Sequence, residues 1–404
     1  MIPHSATLAV NEKINARRAA GRPVLHLGFG EAGLPVLPAV ADALTAAAAE
    51  NGYGPVAGSQ RAREAAAGYL TRRDLPTDPG QIVFAPGSKP LLYAVLTALP
   101  GDVVLPVPSW VSYAAQAQLA GKRVIGVPVP VQSGGVPDPD LLEPALREAR
   151  ASGADPRVLV VTLPDNPTGT CGSADLVHRV CELADRHGLT ILSDEIYRDL
   201  TFDPARHVSP ARFLPERTVV TGGPSKSMAL GGWRIGFARI ADAGLRQDVT
   251  GIAGAVWSSL AAPMQAAAAH VLDEPQEVRD HLGASRRLHA AVLRATHEIF
   301  TAAGARCRAP EAGFYLYPDL EPLGLAEKTG VELSGRLLDE HDIGVLAGEH
   351  FGDDPAALRF RVATSLLYGS TVDERWEALR SADPVRLPWI AASLDQLRTA
   401  LAAL

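Results

Sequence analysis

Through the central part of the chain the hydrophobic rhythm switches repeatedly between helical and strand periods. Residues 176–187, LVHRVCELADRH, place Leu176, Val180, Leu183 and Ala184 at helical spacing, and Gly188 follows as a stop. LTILSDE is then a short apolar run ending in charge. VLVVTLPDNPTG upstream, and RTVVTGGPSK and WRIGFARI downstream, repeat the strand pattern. Short buried strands separated by helices predict an α/β fold whose sheet is mostly parallel and flanked by helices. Ligands of such sheets bind just beyond the strand ends. DNPTG, SDEIY and GGPSK all lie at such ends.

The two ends of the chain read differently. A helix around 277–303 and short strands in GFYLYPDL and LRFRVATS predict a smaller α+β domain, completed by the chain's N-terminal part. The expected division is 1–40 and 286–404 for the smaller domain and 41–285 for the larger. The Ala-rich run 251–272 carries Trp257, Ser258, Ser259, Pro263, Gln265 and His270, and reads as a buried helix pair rather than a membrane span.

Composition narrows the classes of function. The 404 residues are 47% hydrophobic and 21% charged, which is ordinary for a globular protein of this length. A net charge of -7 argues against a nucleic-acid binder, which needs a basic surface. MIPHSATLAVNEKINARRAAGRP at the N-terminus has no apolar secretion core, so the expectation is a soluble cytoplasmic protein. Cys171, Cys181 and Cys307 are few and widely spaced, and the histidines lack ligand spacing, so no disulfide framework or metal site is expected.

Two nucleotide-like motifs need weighing. Gly28, Gly30 and Gly33 spell GxGxxG, but Pro35 and Pro38 crowd the turn. GGPSKS lacks the Gly-Lys-Ser/Thr that wraps a triphosphate. Asn-Pro-Thr-Gly, Asp194-Glu195 and Lys226 could each be a turn, a strand cap or a solvated lysine. Together, in this order and at strand ends, they make a site.

With LPDNPTG, LSDEIY and GGPSKSMALGGWRIGFA on one chain, the sequence resembles the class I/II aminotransferases, and among them the bacterial aspartate/aromatic subgroup. The resemblance runs from about Ile14 to the ATS at 363–365 and resumes in the final helix. It implies the fold-type I architecture, a pyridoxal 5'-phosphate cofactor held as a Schiff base on Lys226, and a homodimer. Asp194 matches the carboxylate that keeps the pyridine nitrogen protonated. Asn166 and Tyr197 match the donors to the ring hydroxyl, and Trp110 the stacking aromatic. For the phosphate, the resemblance implies Gly87, Ser88, Lys89, Ser225 and Arg234, with Tyr53 reaching over from the neighbouring subunit. Gly30 matches a glycine whose N–H meets the substrate α-carboxylate, which reassigns the GxGxxG motif, and Phe29 lines the pocket. Arg359, six residues before Ser365, matches the carboxylate arginine. Arg361 would share its strand face; of the two, Arg359 is preferred.

Three departures keep alternatives open. GEAGL replaces the usual GEPDF at Glu31 to Leu34. Lys89 reads equally as a partner for an acidic substrate's distal carboxylate, as in some members of the family, or as a phosphate-side or surface lysine, whereas Phe29 in the pocket suits an apolar side chain, so the substrate class stays open. Residues 366–392 interrupt the usual run into the final helix, either as peripheral decoration or as cover for the substrate entrance or the dimer interface. The primary expectation is transamination between an L-amino acid and a 2-oxo acid. The alternative is elimination or replacement, cyclisation or oxidation on the same cofactor. A cofactor-binding regulator without catalysis is a third reading, for which the chain lacks room for a DNA-binding module.

Overall fold

The computed structural model describes residues 6–404, with side chains described from residue 12 on. The first residues of the N-terminal stretch, read above as lacking a secretion core, lie outside that range. Seven strands form the central sheet: β2 (Ile82–Ala85), β3 (Asp102–Val107), β4 (Val124–Pro128), β5 (Pro156–Thr162), β6 (Thr190–Asp194), β7 (Thr218–Gly222) and β8 (Gly236–Ile240), in the order β2-β8-β7-β6-β5-β3-β4. Only β8 runs against the others. Most of these strands are buried along nearly their whole length, as a sheet covered by helices on both faces requires. The four apolar runs named from the sequence are β5, β6, β7 and β8. Helix Ala174–His187 carries the 176–187 pattern and ends on Gly188 at φ 68, where a side chain would be strained.

A second body collects the chain ends. β1 (Leu25–His26) pairs in parallel with β10 (Ile343–Gly344). β9 (Tyr315–Leu316), β11 (Leu346–Ala347) and β12 (Phe360–Ala363) form an antiparallel sheet in the order β11-β12-β9. Helix Gln276–Ala302 runs from one body into the other, and its buried face includes Leu288, Val292, Leu293 and Phe300. They share a core with Leu316, Phe360 and Val362 and with the final helix, Pro388–Ala402.

Two expectations change. The 251–272 run does form parts of two helices, but Ala243–Val256 buries only Val249 and Ala253 in the single chain, whereas Ala262–Asp273 buries six residues. The first helix turns apolar residues outward, Val256 among them at 64% exposure. The final helix begins at Pro388 rather than after residue 392, because proline is well placed at a helix's first turn. What remains of the 366–392 segment is a short turn, the helix Val372–Arg380 with a Thr371/Glu374 capping box, and a single turn at Pro384–Arg386. These elements pack against helix Gln276–Ala302, and no residue of 366–392 lines the central cavity described next.

Candidate active site

β2, β3, β5, β6 and β7 all point their C-terminal ends to one edge of the central sheet, and antiparallel β8 starts there. The loops leaving that edge meet Gly30, Tyr315 and Arg361 of the second body around a cavity of about 430 Å³. Of the residues expected from the sequence, it is lined by Phe29, Gly30, Ser88, Lys89, Trp110, Asn166, Asp194, Tyr197, Ser225, Lys226, Arg234 and Arg361.

One end of the cavity is built for an anion. After β2 the chain turns at Gly87, φ 95, and starts helix Ser88–Ala98, with no side chain capping its first N–H groups. Open N–H groups at a helix start favour negative charge. A side chain at Gly87 would collide with the Arg234 guanidinium, so this glycine lets the cation sit against the loop. Arg234 spends Nη1 on the Gly231 carbonyl at 2.7 Å and keeps other donors. Lys89 sits at the rim with Nζ 5.0 Å from the Trp110 ring centre, and burial and then Arg234 lower its pKa.

Asp194 closes the floor. It is buried at the end of β6 and accepts from the Tyr113 hydroxyl at 2.9 Å and from Thr221 Oγ1 and the Ile196 N–H, both at 3.3 Å. Tyr113 also meets Thr162 Oγ1 at 2.7 Å. Burial pushes the Asp194 carboxyl up to about 6, and no arginine or lysine pairs with it directly. A buried carboxylate held only by neutral donors is a place for a cation from elsewhere.

Lys226 lies on the short helix Pro224–Ser227 after β7 and donates from Nζ to the Gly30 carbonyl at 2.6 Å. Burial, and after it Arg361, lower its pKa to about 8. A lysine is a nucleophile only when neutral, so this environment activates it. The Tyr197 and Tyr315 hydroxyls meet at 2.9 Å. A side chain on Gly30 would strike the Tyr315 hydroxyl, which is the reason for glycine there.

The arginine preference is corrected. Arg361, fully buried on β12, donates from Nη1 to Asn166 Oδ1 at 3.1 Å and from Nη2 to the Gly28 carbonyl at 2.8 Å. It stacks on Tyr315 and Phe351, and its Nε has no partner. Arg359 precedes the strand, lies 3.2 Å from Asp353, and lines a different cavity. Two residues along a strand shift a side chain by about 6.6 Å, enough to move it from one cavity to the next. Tyr53 is 98% exposed and outside the cavity of its own chain, and Gly87 shapes the anion loop without lining the cavity.

Sequence reasoning passed over Tyr113, Thr162, Thr221 and Tyr315. Tyr113 follows three residues after Trp110 in PSWVSY and Tyr315 lies in the strand-like GFYLYPDL, so an aromatic close to a strand was the available signal. The two threonines carry no signal beyond their place at strand ends.

Pyridoxal 5'-phosphate fits this donor set. The uncapped helix start, Ser88, Ser225 and Arg234 suit its phosphate, Asp194 its ring nitrogen, and Lys226 its aldehyde. When bound, the cofactor supplies an electron sink for the pair released at a substrate's α-carbon.

Comparison with known proteins agrees with this chemistry. The family "Aminotransferase class I and II" matches residues 22–366, ending where the unusual segment begins. The chain is similar to the aspartate aminotransferase of Geobacillus stearothermophilus, 32% identical over 382 residues, covering 92% of this chain and 95% of that protein. It is also similar to the aspartate/prephenate aminotransferase of Thermus thermophilus, 32% identical over 356 residues and covering 86% and 89%. A solved structure of the Thermus thermophilus aspartate aminotransferase with maleate superposes with a TM-score of 0.83, at 29% identity and covering 94% of this chain and 96% of that one. Such relatives favour transamination over the other chemistries weighed above. The chain belongs to the class I and II aminotransferases and is a pyridoxal-phosphate-dependent aminotransferase.

Proposed function

We propose that the enzyme exchanges the amino group of an acidic L-amino acid, such as aspartate, with a 2-oxo acid. Four cations line the cavity; with Lys226 and Arg234 suited to the cofactor, the observation that carries this is the remaining two, Arg361 deep inside and Lys89 at the rim. Arg361 keeps donors free for an α-carboxylate, and Lys89, over the Trp110 ring and with the Arg234 cation near it, has no carboxylate partner of its own among the described residues, so a second carboxylate has a place. Relatives named aspartate aminotransferase support the same substrate class.

In this reading Arg361 with Gly30 and Asn166 holds the α-carboxylate. Lys226, whose Nζ lies at the Gly30 carbonyl, would be the base that takes and returns a proton at the substrate's α-carbon. With the cofactor bound, Asp194 would hold the ring nitrogen protonated, Tyr197 would donate to the ring hydroxyl, and Trp110 would pack on the ring. The enzyme acts as a cytoplasmic homodimer, with Tyr53 completing the neighbour's phosphate site. Its nearly full exposure, and the nearby approach of Val56 to Gly254 on the outward-facing helix Ala243–Val256, support that placement. Residues 1–40 with 286–404, and 41–285, are the two domains, divided within helix Gln276–Ala302.

Steady-state kinetics with aspartate, glutamate, alanine and phenylalanine as donors test the substrate class. Lys89→Ala is expected to raise KM about tenfold for aspartate and leave KM for alanine within about twofold. Equal use of alanine and aspartate by the wild type, or a common rise in KM, overturns it.

A further inference from the structure

Behind the active site lies a second, larger cavity of about 860 Å³. The two are back to back. Near neighbours in sequence face opposite sides of the shared wall: Trp110 and Pro108, Asn166 and Asp165, Tyr315 and Tyr317, Arg361 and Arg359. The bonded pair Arg361–Asn166 is the middle of that wall.

The second cavity is apolar over much of its surface, through Pro108, Val129, Val131 and Ala305. Its charged groups are mostly satisfied among themselves. Arg306 pairs with Asp319 and Glu321, and Arg308 with Glu311 and the Val131 and Cys171 carbonyls. Asp165 accepts from the Thr168 N–H and hydroxyl. Arg359 is different. Its side chain makes a single polar contact, Nη1 to Asp353 Oδ2 at 3.2 Å, and its Nε is buried without a partner. Asp353 is itself held by the Tyr317 hydroxyl at 2.8 Å, so the guanidinium is aimed by a fixed carboxylate. The Arg359 Nη2 also has no partner among the described residues and, with the side chain 33% exposed, is the donor left open to a carboxylate.

We infer that this cavity is a second binding site, for a small organic carboxylate with an apolar body, held by the exposed end of the Arg359 guanidinium. A pocket of this size, apolar with a few directed polar groups, has the anatomy of a small-molecule site. The carboxylate takes up the open Nη2, and the apolar body covers the prolines and valines. The ligand lies against the reverse side of the Asn166–Arg361 wall, outside the active-site cavity, so it does not compete for that site.

Titration of the holoenzyme with 3-phenylpropionate, followed by calorimetry and by the cofactor's visible absorbance, tests this. Wild type is expected to bind two per chain: one event at Arg361 that perturbs the absorbance and one that is spectrally silent. Arg361→Gln keeps only the silent event. Arg359→Gln, folded as judged by full cofactor absorbance, loses it, weakening it by about tenfold or more, and Arg359→Lys, which keeps charge without the guanidinium, weakens it similarly. The neutral 3-phenylpropionamide does not bind there. A single event in wild type, a silent event that survives in Arg359→Gln, or equal silent binding of the amide overturns the inference. Loss or retention of turnover in Arg361→Gln judges the active-site reading separately.

Discussion

The active site has two walls of different construction. The wall from the central sheet is a row of strand ends: Asn166 after β5, Asp194 at the end of β6, Lys226 after β7 and Arg234 before β8. The wall from the second body is one loop at Gly28–Glu31 and one face of the β9–β12 pair. On the first wall each functional side chain is the product of a strand stopping. On the second, which residue reaches the cavity is decided by register, and Arg359 and Arg361 are equivalent until the pairing of Ala363 with Tyr315 is known. Rigid strand ends make chemistry robust. A strand face held against them by close contacts makes recognition, and it can be shifted by two residues.

The sharpest contrast is expected at Asp194. Asp194→Asn keeps the shape and the Tyr113 hydrogen bond and removes the charge that pairs with a protonated ring. Turnover should fall on the order of a thousandfold, measured as kcat with saturating cofactor. A fall of less than about tenfold would show that the sheet wall does not carry the electrostatics assigned to it.

The second wall is tested at its two arginines. Arg361→Gln removes a buried charged fork and should lower kcat/KM by about a hundredfold, whereas Arg359→Gln should change it by less than about threefold. The reverse order would restore the residue that the sequence favoured. Gly30→Ala comes next. Its methyl meets the Tyr315 hydroxyl and pushes the loop from Lys226, costing about ten- to a hundredfold in kcat/KM. Adding Tyr315→Phe should recover part of that loss, because it deletes the atom that collides. No recovery would mean the loop is held by something else, such as its approach at Gly33 to the Ser365 carbonyl.

These two walls also mark what could be read from the sequence. The alternation of apolar runs and helices was enough for the central sheet, because a buried parallel strand leaves a nearly continuous apolar signature. The row of site residues followed, since turn-forming polar clusters after such runs have one destination. The arginine choice was not legible: residues 359 and 361 have the same period-2 phase, and the deciding hydrogen bond to Asn166 spans 195 positions. Tyr113 and Tyr315 were hidden for the same reason, their hydroxyls being placed by partners remote in sequence.

A pH experiment joins the walls. Lys226 is depressed to about 8 by burial and, second, by Arg361. The proton must leave before the amine can attack, so capture of added cofactor by apoenzyme should speed up as pH rises. Below about 8 the rate should climb roughly tenfold per pH unit and then level. Arg361→Gln removes a neighbouring positive charge, so its levelling point should move to higher pH. A wild-type rate still climbing at pH 10 would mean that Lys226 titrates as an ordinary lysine.

The smallest effect concerns the segment that follows β12. Tyr368 is fully buried and its hydroxyl meets His289 Nδ1, while His289 Nε2 has no partner. Burial lowers the His289 pKa to about 3, so the ring is neutral at physiological pH. Tyr368→Phe would leave both ring nitrogens unpartnered in the core, a loss of about 1–3 kcal/mol in unfolding free energy. His289 also packs on Phe314, whose neighbour in the chain is Tyr315 of the cavity. If the second wall is held only by direct contacts across the cavity, Tyr368→Phe lowers the denaturation midpoint and leaves kcat and KM unchanged. A change in KM at unchanged kcat would show that the 366–392 segment sets the wall's position through His289 and Phe314, and that recognition here extends well behind the residues that touch the substrate.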